Sequence, residues 1–138
     1  MNKKRILAVC VGNSCRSQMI EGYLRIFTEG RAEIYSAGTE AHGLNEYAVR
    51  AMAEDGADIS RQTSNVIDEY ADMKFDLIIA VCESARKRCN GLPNAGNMIY
   101  REFPDPADAY GNEEYIMNVY RDSRNDIREF CRTLADEI

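Results

Sequence analysis

The 138-residue sequence has a single histidine, His42, and no pair of cysteines separated by two residues. Structural zinc sites are built mostly from such pairs and from histidines, so the sequence argues against zinc and we expect no metal. A transmembrane helix needs about 20 apolar residues, and no apolar stretch in the sequence approaches that length. The apolar run at residues 6–11, behind the basic N-terminus, is too short for a secretion signal. We therefore expect a cytoplasmic protein with no membrane association.

Positive charge is also in deficit, since 17 basic side chains stand against 23 acidic ones and the net charge is −6. A nucleic-acid-binding protein normally carries a basic surface, so we expect no nucleic-acid partner. In a reducing compartment the five cysteines cannot form a disulfide framework, and each is either a small buried side chain or a reactive thiol. No repeat, low-complexity tract or linker interrupts the chain. We expect one domain over residues 1–138, acting as a monomer.

Strand and helix patterns alternate along the chain. Apolar runs predict strands at residues 5–10, 33–36, 75–81 and 97–103, and helical spacing predicts helices at 17–29, 45–55, 64–73 and 113–138. This alternation predicts an α/β fold with one four-stranded parallel sheet, strand order 2-1-3-4, and helices on both faces. In such a sheet, ligands bind beyond the carboxyl ends of strands 1 and 3. Cys10 and Cys82 are the residues at those two places.

The segment CVGNSCRS, residues 10–17, joins the first strand to a helix and has the form C-x5-R-S. A tight turn would direct the backbone N–H groups of this segment towards an anion; its residues after Cys10 are Val11, Gly12, Asn13, Ser14, Cys15, Arg16 and Ser17. The Arg16 guanidinium offers a planar fork to two oxygens of a tetrahedral oxyanion. Cys10, at the start of the helix dipole, is the candidate nucleophile. Cys15 is either a small side chain in a tight loop or a thiol that could trap Cys10 in an unproductive disulfide.

Two further cysteines follow the third predicted strand, Cys82 directly and Cys89 seven residues later. Neighbouring strands lie about 4.8 Å apart, so Cys10 and Cys82 could form a disulfide after a modest movement. Seven helical residues rise about 10.5 Å, so a bond between Cys82 and Cys89 would require a helix there to unwind. Alternatively, both are packing residues. The basic residues 86–88 form either a solvated face or a group that keeps Cys89 ionised.

Asp105 lies between two prolines, just past the fourth predicted strand and at the same edge of the sheet. A carboxylic acid there could protonate an oxygen that leaves an oxyanion bound to Cys10. The alternatives are that Asp105 is an ordinary turn residue, or that Asp108 is the acid. We interpret His42 as a loop residue.

With these residues in place, the sequence resembles the thioredoxin-coupled arsenate reductases, which share the fold of the low-molecular-weight protein tyrosine phosphatases. The resemblance extends over nearly the whole chain and includes VGNSCRSQM after Cys10, YSAGTEAHGLN at 35–45, AMAEDGADIS at 51–60 and DPA at 105–107. The C-x5-R-S loop and the Asp-Pro pair belong to the whole superfamily. The pair Cys82 and Cys89, together with Gln18 where the phosphatases usually have proline, is typical of the reductases.

The resemblance implies a reaction in which Cys10 attacks arsenate that is held by Arg16 and the loop amides, while Asp105 protonates the departing oxygen. Cys82 would then attack Cys10 and release arsenite, and Cys89 would attack Cys82. The resemblance also implies that thioredoxin, an external reductant, reduces the resulting disulfide, and that no cofactor is bound.

The main alternative within the same superfamily is a low-molecular-weight protein tyrosine phosphatase that uses Cys10, Arg16 and Asp105 only. Those phosphatases usually carry aromatic residues after the Asp-Pro pair, whereas Ala107 follows here. A sensor that only binds phosphate is a third possibility. Such a sensor would need neither Asp105 nor a thiol pair.

Overall fold

The computed structural model describes residues 3–90, 92 and 95–138 and has a four-stranded parallel sheet at its centre. The strands are β1 (Lys4–Cys10), β2 (Ala32–Gly38), β3 (Phe75–Ala80) and β4 (Ala95–Tyr100), adjacent in the order β2-β1-β3-β4. The helices are α1 (Arg16–Thr28), α2 (Glu46–Glu54), α3 (Glu83–Cys89) and α4 (Glu113–Ala135). All three strand pairings are parallel, which confirms the predicted fold class and strand order.

Helices cover both faces of the sheet because successive side chains of a buried strand point in opposite directions. Ile6 and Ala8 of β1 pack in a core that is shared with α1, α2 and α4. Leu7 and Val9, which alternate with them, pack in a second core with α3 and a 3-10 turn at Ile67–Tyr70. The sheet therefore separates two apolar cores.

The carboxyl ends of the strands lie at one edge of the sheet. Cys10 is paired with Gly38 of β2, and the pairing of β1 with β3 ends at Val9 and Ala80. The backbone N–H of Phe103, beyond β4, donates to the carbonyl of Val81 at 3.0 Å. The segments after β1, β3 and β4 thus leave from the same edge, where a ligand site was expected.

The predicted helix over residues 64–73 is wrong for most of its length, since only Ile67–Tyr70 form a single 3-10 turn. The backbone N–H of Asn65 donates to Asn13 Oδ1 at 2.7 Å, and the Asn65 carbonyl accepts from the N–H of Gly38 at 2.9 Å. In a helix that began at residue 64, the Asn65 carbonyl would accept from the N–H of residue 69 and could not serve Gly38 in the same way. Contacts with distant segments therefore override the local helical pattern.

The other elements differ from prediction mainly at their ends. The second strand extends from Ala32 to Gly38, beyond the predicted 33–36, and the last helix ends at Ala135 rather than at residue 138. Helix α3, which the sequence left conditional, is present. Across the described residues, no helix combines the length and the apolar composition that crossing a membrane requires.

Candidate active site

The loop between β1 and α1 binds its surroundings through its carbonyl groups. The six carbonyl oxygens from Cys10 to Cys15 accept hydrogen bonds from, in order, Thr39 N (3.3 Å), Glu40 N (2.9 Å), His42 N (2.8 Å), Gln18 Nε2 (2.9 Å), Asn45 N (3.0 Å) and Met19 N (2.9 Å). Within the described residues, the N–H groups of residues 11–15 donate no hydrogen bond to the protein. Because the carbonyls are engaged from outside and the amides are not, the loop has the arrangement that binds an anion.

Asn13 shapes the middle of this loop. Its backbone is left-handed, with φ of 47°, a conformation that asparagine tolerates better than most residues. Its buried side chain donates to Ser17 Oγ at 2.8 Å and to Ser36 Oγ at 3.0 Å, and it accepts from Asn65 N at 2.7 Å. These bonds connect the loop to β2 and to the segment before the 3-10 turn.

Two glycines allow neighbouring chain segments to approach the loop closely. A Cβ atom on Gly38 would lie 2.4 Å from the Val11 carbonyl oxygen, and one on Gly12 would lie 2.4 Å from Nδ1 of His42. The His42 ring therefore covers Gly12 and lines the cavity above the loop, while its Nε2 lies 3.1 Å from Glu40 Oε1. His42 is a loop residue, as interpreted, but the sequence contained no signal that its ring would reach the cavity.

The two thiols of the loop differ in their surroundings. Cys10 Sγ lies 2.8 Å from Ser17 Oγ. Because Ser17 Oγ already accepts a hydrogen bond from Asn13, its own hydrogen can point at the sulfur, an arrangement that suits a thiolate nucleophile at a helix N-terminus. Burial, with smaller contributions from Asp105 and Cys10, raises the pKa of the Cys15 thiol well above its usual value. Cys15 therefore stays a neutral thiol at physiological pH.

Arg16 and Asp105 face each other at the rim of the cavity. The Arg16 guanidinium donates to the Phe103 carbonyl at 3.0 Å, and its Nη2 lies 3.5 Å from Asp105 Oδ2. The other oxygen of Asp105 accepts from Ala107 N at 3.0 Å and caps the 3-10 turn Pro106–Asp108. A cavity of about 100 Å³ is lined by Cys10, Val11, Gly12, Ser14, Cys15, Arg16, His42, Asp105 and Ala107. Asp108, the competing acid, is exposed on the same turn.

Cys82 and Cys89 lie at the two ends of α3. Cys82 precedes the first helical residue, has an extended backbone and is half-buried, whereas Cys89 is the last helical residue and is buried. Burial raises the pKa of Cys89 to about 11, although Arg88 acts in the opposite direction. Arg86 pairs with Glu83, and Arg88 pairs with Asp68. Arg86 and Arg88 thus form ion pairs at the surface, and the basic residues 86–88 do not keep Cys89 ionised in this state.

The sheet divides the three thiols. Cys10 packs in the core with α1, α2 and α4, whereas Cys82 and Cys89 pack in the core on the α3 side. Extension of the pairing between Val9 and Ala80 sets Cys10 opposite Val81, so that Cys82 lies one residue further along. The structure therefore brings the chain segments that carry Cys10 and Cys82 together at one sheet edge, while their side chains lie on different faces.

Comparisons with known proteins agree with this architecture. A family model of low molecular weight phosphotyrosine protein phosphatases matches residues 5–138. The arsenate reductase of Halalkalibacterium halodurans is 43% identical over 136 residues, which cover 99% of this chain and 98% of that protein. A solved arsenate reductase in the phosphate binding state has a TM-score of 0.81 and 30% identity, with 98% of each chain covered.

A second solved structure, an arsenate reductase in the oxidized state, has a TM-score of 0.78 and 28% identity, and the match covers 97% of this chain and 98% of that one. The matches thus run through the whole fold, including the loop after β1 and the segment that carries Cys82 and Cys89. The chain belongs to the low molecular weight phosphotyrosine protein phosphatase family.

Proposed function

We propose that the protein is a monomeric cytoplasmic enzyme that reduces arsenate to arsenite through Cys10, Cys82 and Cys89, and that thioredoxin regenerates it. The observation that carries the proposal is the placement of the thiols. Cys10 lies at the base of an anion-binding loop, and Cys82 and Cys89 lie at the two ends of a short helix that starts from the neighbouring strand. Relatives at 43% identity that are arsenate reductases support the choice of substrate.

In the first step, the Cys10 thiolate attacks the arsenic atom while the loop amides and the Arg16 guanidinium hold the arsenate oxygens. Asp105 lies 3.5 Å from Arg16, so its acid group is within reach of an anion held there. Asp105 donates a proton to the departing oxygen, which leaves as water, and a Cys10 thiol–arsenate adduct remains.

In the second step, Cys82 attacks the sulfur of Cys10. A disulfide forms, the sulfur–arsenic bond breaks, and its electron pair stays on arsenic, which is thereby reduced from As(V) to As(III) and leaves as arsenite. Cys89 then attacks Cys82 and releases Cys10 as a thiol. The disulfide between Cys82 and Cys89 accepts two electrons from the dithiol of thioredoxin, and the cycle closes.

Helix α3 must unwind for the last internal step, because seven helical residues separate its two thiols by about 10.5 Å. The ion pairs on its surface, Glu83 with Arg86 and Arg88 with Asp68, are largely exposed. Exposed pairs of this kind contribute about 0–1 kcal/mol each, so they offer little resistance to unwinding. The helix is also only seven residues long and holds few turns to break.

A phosphatase activity is the second candidate function, because the family model that matches the chain is that of phosphotyrosine phosphatases. The chemistry would use Cys10, Arg16 and Asp105 in the same positions and would leave Cys82 and Cys89 idle. Ala107, rather than an aromatic residue, lines the cavity beside Asp105. We therefore expect hydrolysis of small aryl phosphates as a side activity.

Two assays on the same preparation test the proposal. The first follows arsenate-dependent oxidation of NADPH with thioredoxin and thioredoxin reductase, and the second follows hydrolysis of p-nitrophenyl phosphate. The unsubstituted protein should be active in both assays and Cys10→Ser in neither. Cys131→Ala, which removes a buried thiol of α4, should retain both activities and is the matched control. Hydrolysis of p-nitrophenyl phosphate without arsenate-dependent oxidation of NADPH would indicate a phosphatase. Inactivity in both assays would favour a sensor that only binds phosphate.

A further inference from the structure

Gln18, in the first turn of α1, is completely buried and uses its whole side-chain amide. Its Nε2 donates to the carbonyls of Asn13 and Thr63, both at 2.9 Å. Its Oε1 accepts from Gln62 Nε2 at 2.8 Å, and the same Nε2 lies 3.0 Å from the Gln18 carbonyl oxygen. Gln18 therefore ties the oxyanion loop to a segment more than 40 residues away in the sequence.

The bond to the Asn13 carbonyl determines the direction of an amide in the loop. The Asn13 carbonyl and the Ser14 N–H belong to one planar, trans peptide unit, so they point in opposite directions. With the carbonyl held outward by Gln18, the Ser14 N–H points towards the cavity, which Ser14 lines. Asn13 itself has a left-handed backbone, which few side chains adopt without support from their surroundings.

The four residues 62–65 all contact the loop or Gln18. Besides the bonds of Gln62 and Thr63 to Gln18, Ser64 Oγ donates to the Gly12 carbonyl at 3.3 Å and Asn65 N donates to Asn13 Oδ1 at 2.7 Å. Among the described residues that line the cavity, none belongs to the segment 62–65. Any influence of this segment on a bound anion must therefore pass through the loop.

We propose that Gln18, held in place by Gln62, is a positioning residue that locks the peptide between Asn13 and Ser14 in its anion-binding orientation. The inference rests on the proposed function only in that the loop binds a tetrahedral oxyanion. Without the lock, the loop samples orientations in which the Ser14 N–H points away, and the apparent affinity falls in proportion to the competent fraction. In the molecules that have bound an anion, Cys10, Arg16 and Asp105 have the same positions as in the unsubstituted protein, so the chemical step keeps its rate.

The test uses Gln18→Met, which keeps the length of the side chain and removes its hydrogen bonds. Inorganic phosphate binding is measured by calorimetry, and KM and kcat are measured with p-nitrophenyl phosphate. We expect the phosphate Kd and the KM each to rise about tenfold, because a buried carbonyl loses its donor, while kcat changes by less than about twofold. A general loss of structure would lower kcat as well.

Gln62→Met is the second variant, because Gln62 is only partly buried and its replacement removes only the support of Gln18. We expect a smaller rise in the phosphate Kd, about threefold. Thr28→Val is the matched control. Thr28 is equally buried in the same helix and donates to the Leu24 carbonyl at 2.7 Å, but it lies at the far end from the loop. This control should lower the midpoint of thermal unfolding and leave the phosphate Kd unchanged.

Unchanged phosphate binding in Gln18→Met and Gln62→Met would overturn the inference, as would an equal loss of affinity in Thr28→Val. If Gln18→Met does not fold, the Kd of Gln62→Met alone decides. Failure of the proposed function gives a different result. If the unsubstituted protein binds no phosphate, both the anion site and this inference are wrong. If it binds phosphate but does not reduce arsenate, the proposed function is wrong, and the phosphate Kd values of the variants still decide this inference.

Discussion

Arg16 and Asp105 both line the cavity and also hold neighbouring backbone groups in place. The Arg16 guanidinium has five donors, of which one contacts the Phe103 carbonyl and another faces Asp105 Oδ2. Asp105 in turn caps the following 3-10 turn through its other oxygen, which fixes the carboxyl group at the cavity. A residue held in this way can deliver a proton with little loss of conformational freedom.

Asp105→Asn should slow formation of the thiol–arsenate adduct by roughly 10²–10⁴-fold, the usual contribution of a positioned acid, because an amide has no acidic proton to give. Single-turnover formation of arsenite, measured by rapid quench, would report this step. Asp108→Asn is the matched control, since Asp108 is exposed on the same turn and its loss should have little effect. The assignment of the acid is wrong if Asp108→Asn proves the more damaging change.

The sequence predicted that Cys10, Arg16 and Asp105 would lie together, because a loop motif and a Pro-Asp-Pro turn mark them locally, and the three residues line one cavity. Gln18 and His42 could not be given roles in the same way. Gln18 depends on a partner segment at residues 62–65, and the His42 ring reaches the cavity only because Gly12 leaves room for it. Contacts between distant segments have no local sequence signature.

At the scale of elements, a single side chain caps the first turn of α4. Asn112 precedes α4, and its side chain accepts from Tyr115 N at 2.8 Å, while Glu113 and Glu114 lie in the first turn. The cap satisfies a backbone N–H that has no partner within the helix, and the carboxylates complement the helix dipole. Because α4 packs against α1 and α2 in the core on one face of the sheet, its first turn contributes to the stability of the whole fold.

Asn112→Ala should lower the free energy of unfolding by about 1 kcal/mol, the usual cost of losing an asparagine cap. Denaturation in urea would measure the change. Asp122→Ala, at an exposed position inside the same helix, is the control; it should leave stability unchanged or raise it slightly, because alanine is the better helix former. Equal effects of the two substitutions would contradict the capping role of Asn112.

The elements that the sequence predicted well are those whose partner surfaces are long and apolar, such as β1, β3 and α4. The segment over residues 64–73 was predicted wrongly because its backbone bonds to Asn13 and Gly38 instead of to itself. Polar tertiary contacts of this kind leave no periodic pattern, so local reading of the chain favours a helix there.

Burial at the end of α3 raises the pKa of Cys89, which makes the thiolate rare. A pKa of about 11 leaves about one thiol in a thousand ionised at pH 8, and this fraction rises as the pH approaches 11. Alkylation of Cys89 by iodoacetamide at pH 8 should therefore be at least about 100-fold slower in the native protein than in guanidinium chloride. Cys82, half-buried at the other end of the helix, provides the internal comparison and should react first. Mass spectrometry would follow the alkylation of each cysteine. Equal alkylation rates of Cys89 in the native protein and in guanidinium chloride would mean that the helix is already open.

At the scale of the whole molecule, the sheet is both a scaffold and a partition. Its parallel order brings the ends of β1, β3 and β4 to one edge, where the loop after β1 and Asp105 line one cavity and Cys82 begins the segment before α3. Its two faces hold Cys10 apart from Cys82 and Cys89. A disulfide between Cys10 and Cys82 therefore requires at least one of the two side chains to change its position.

The same partition predicts the order of the relay. Cys10 and Cys82 leave adjacent strands, whereas Cys89 reaches Cys82 only after α3 unwinds. Cys89→Ser should therefore stop after one turnover with a disulfide between Cys10 and Cys82, and Cys82→Ser should form no disulfide between Cys10 and Cys89. Both variants should still hydrolyse p-nitrophenyl phosphate, since that reaction needs neither thiol. Mass mapping of disulfides after one equivalent of arsenate would distinguish these states. A Cys89→Ser protein that keeps turning over with thioredoxin would show that Cys89 is dispensable, and the geometric basis for the order would be wrong.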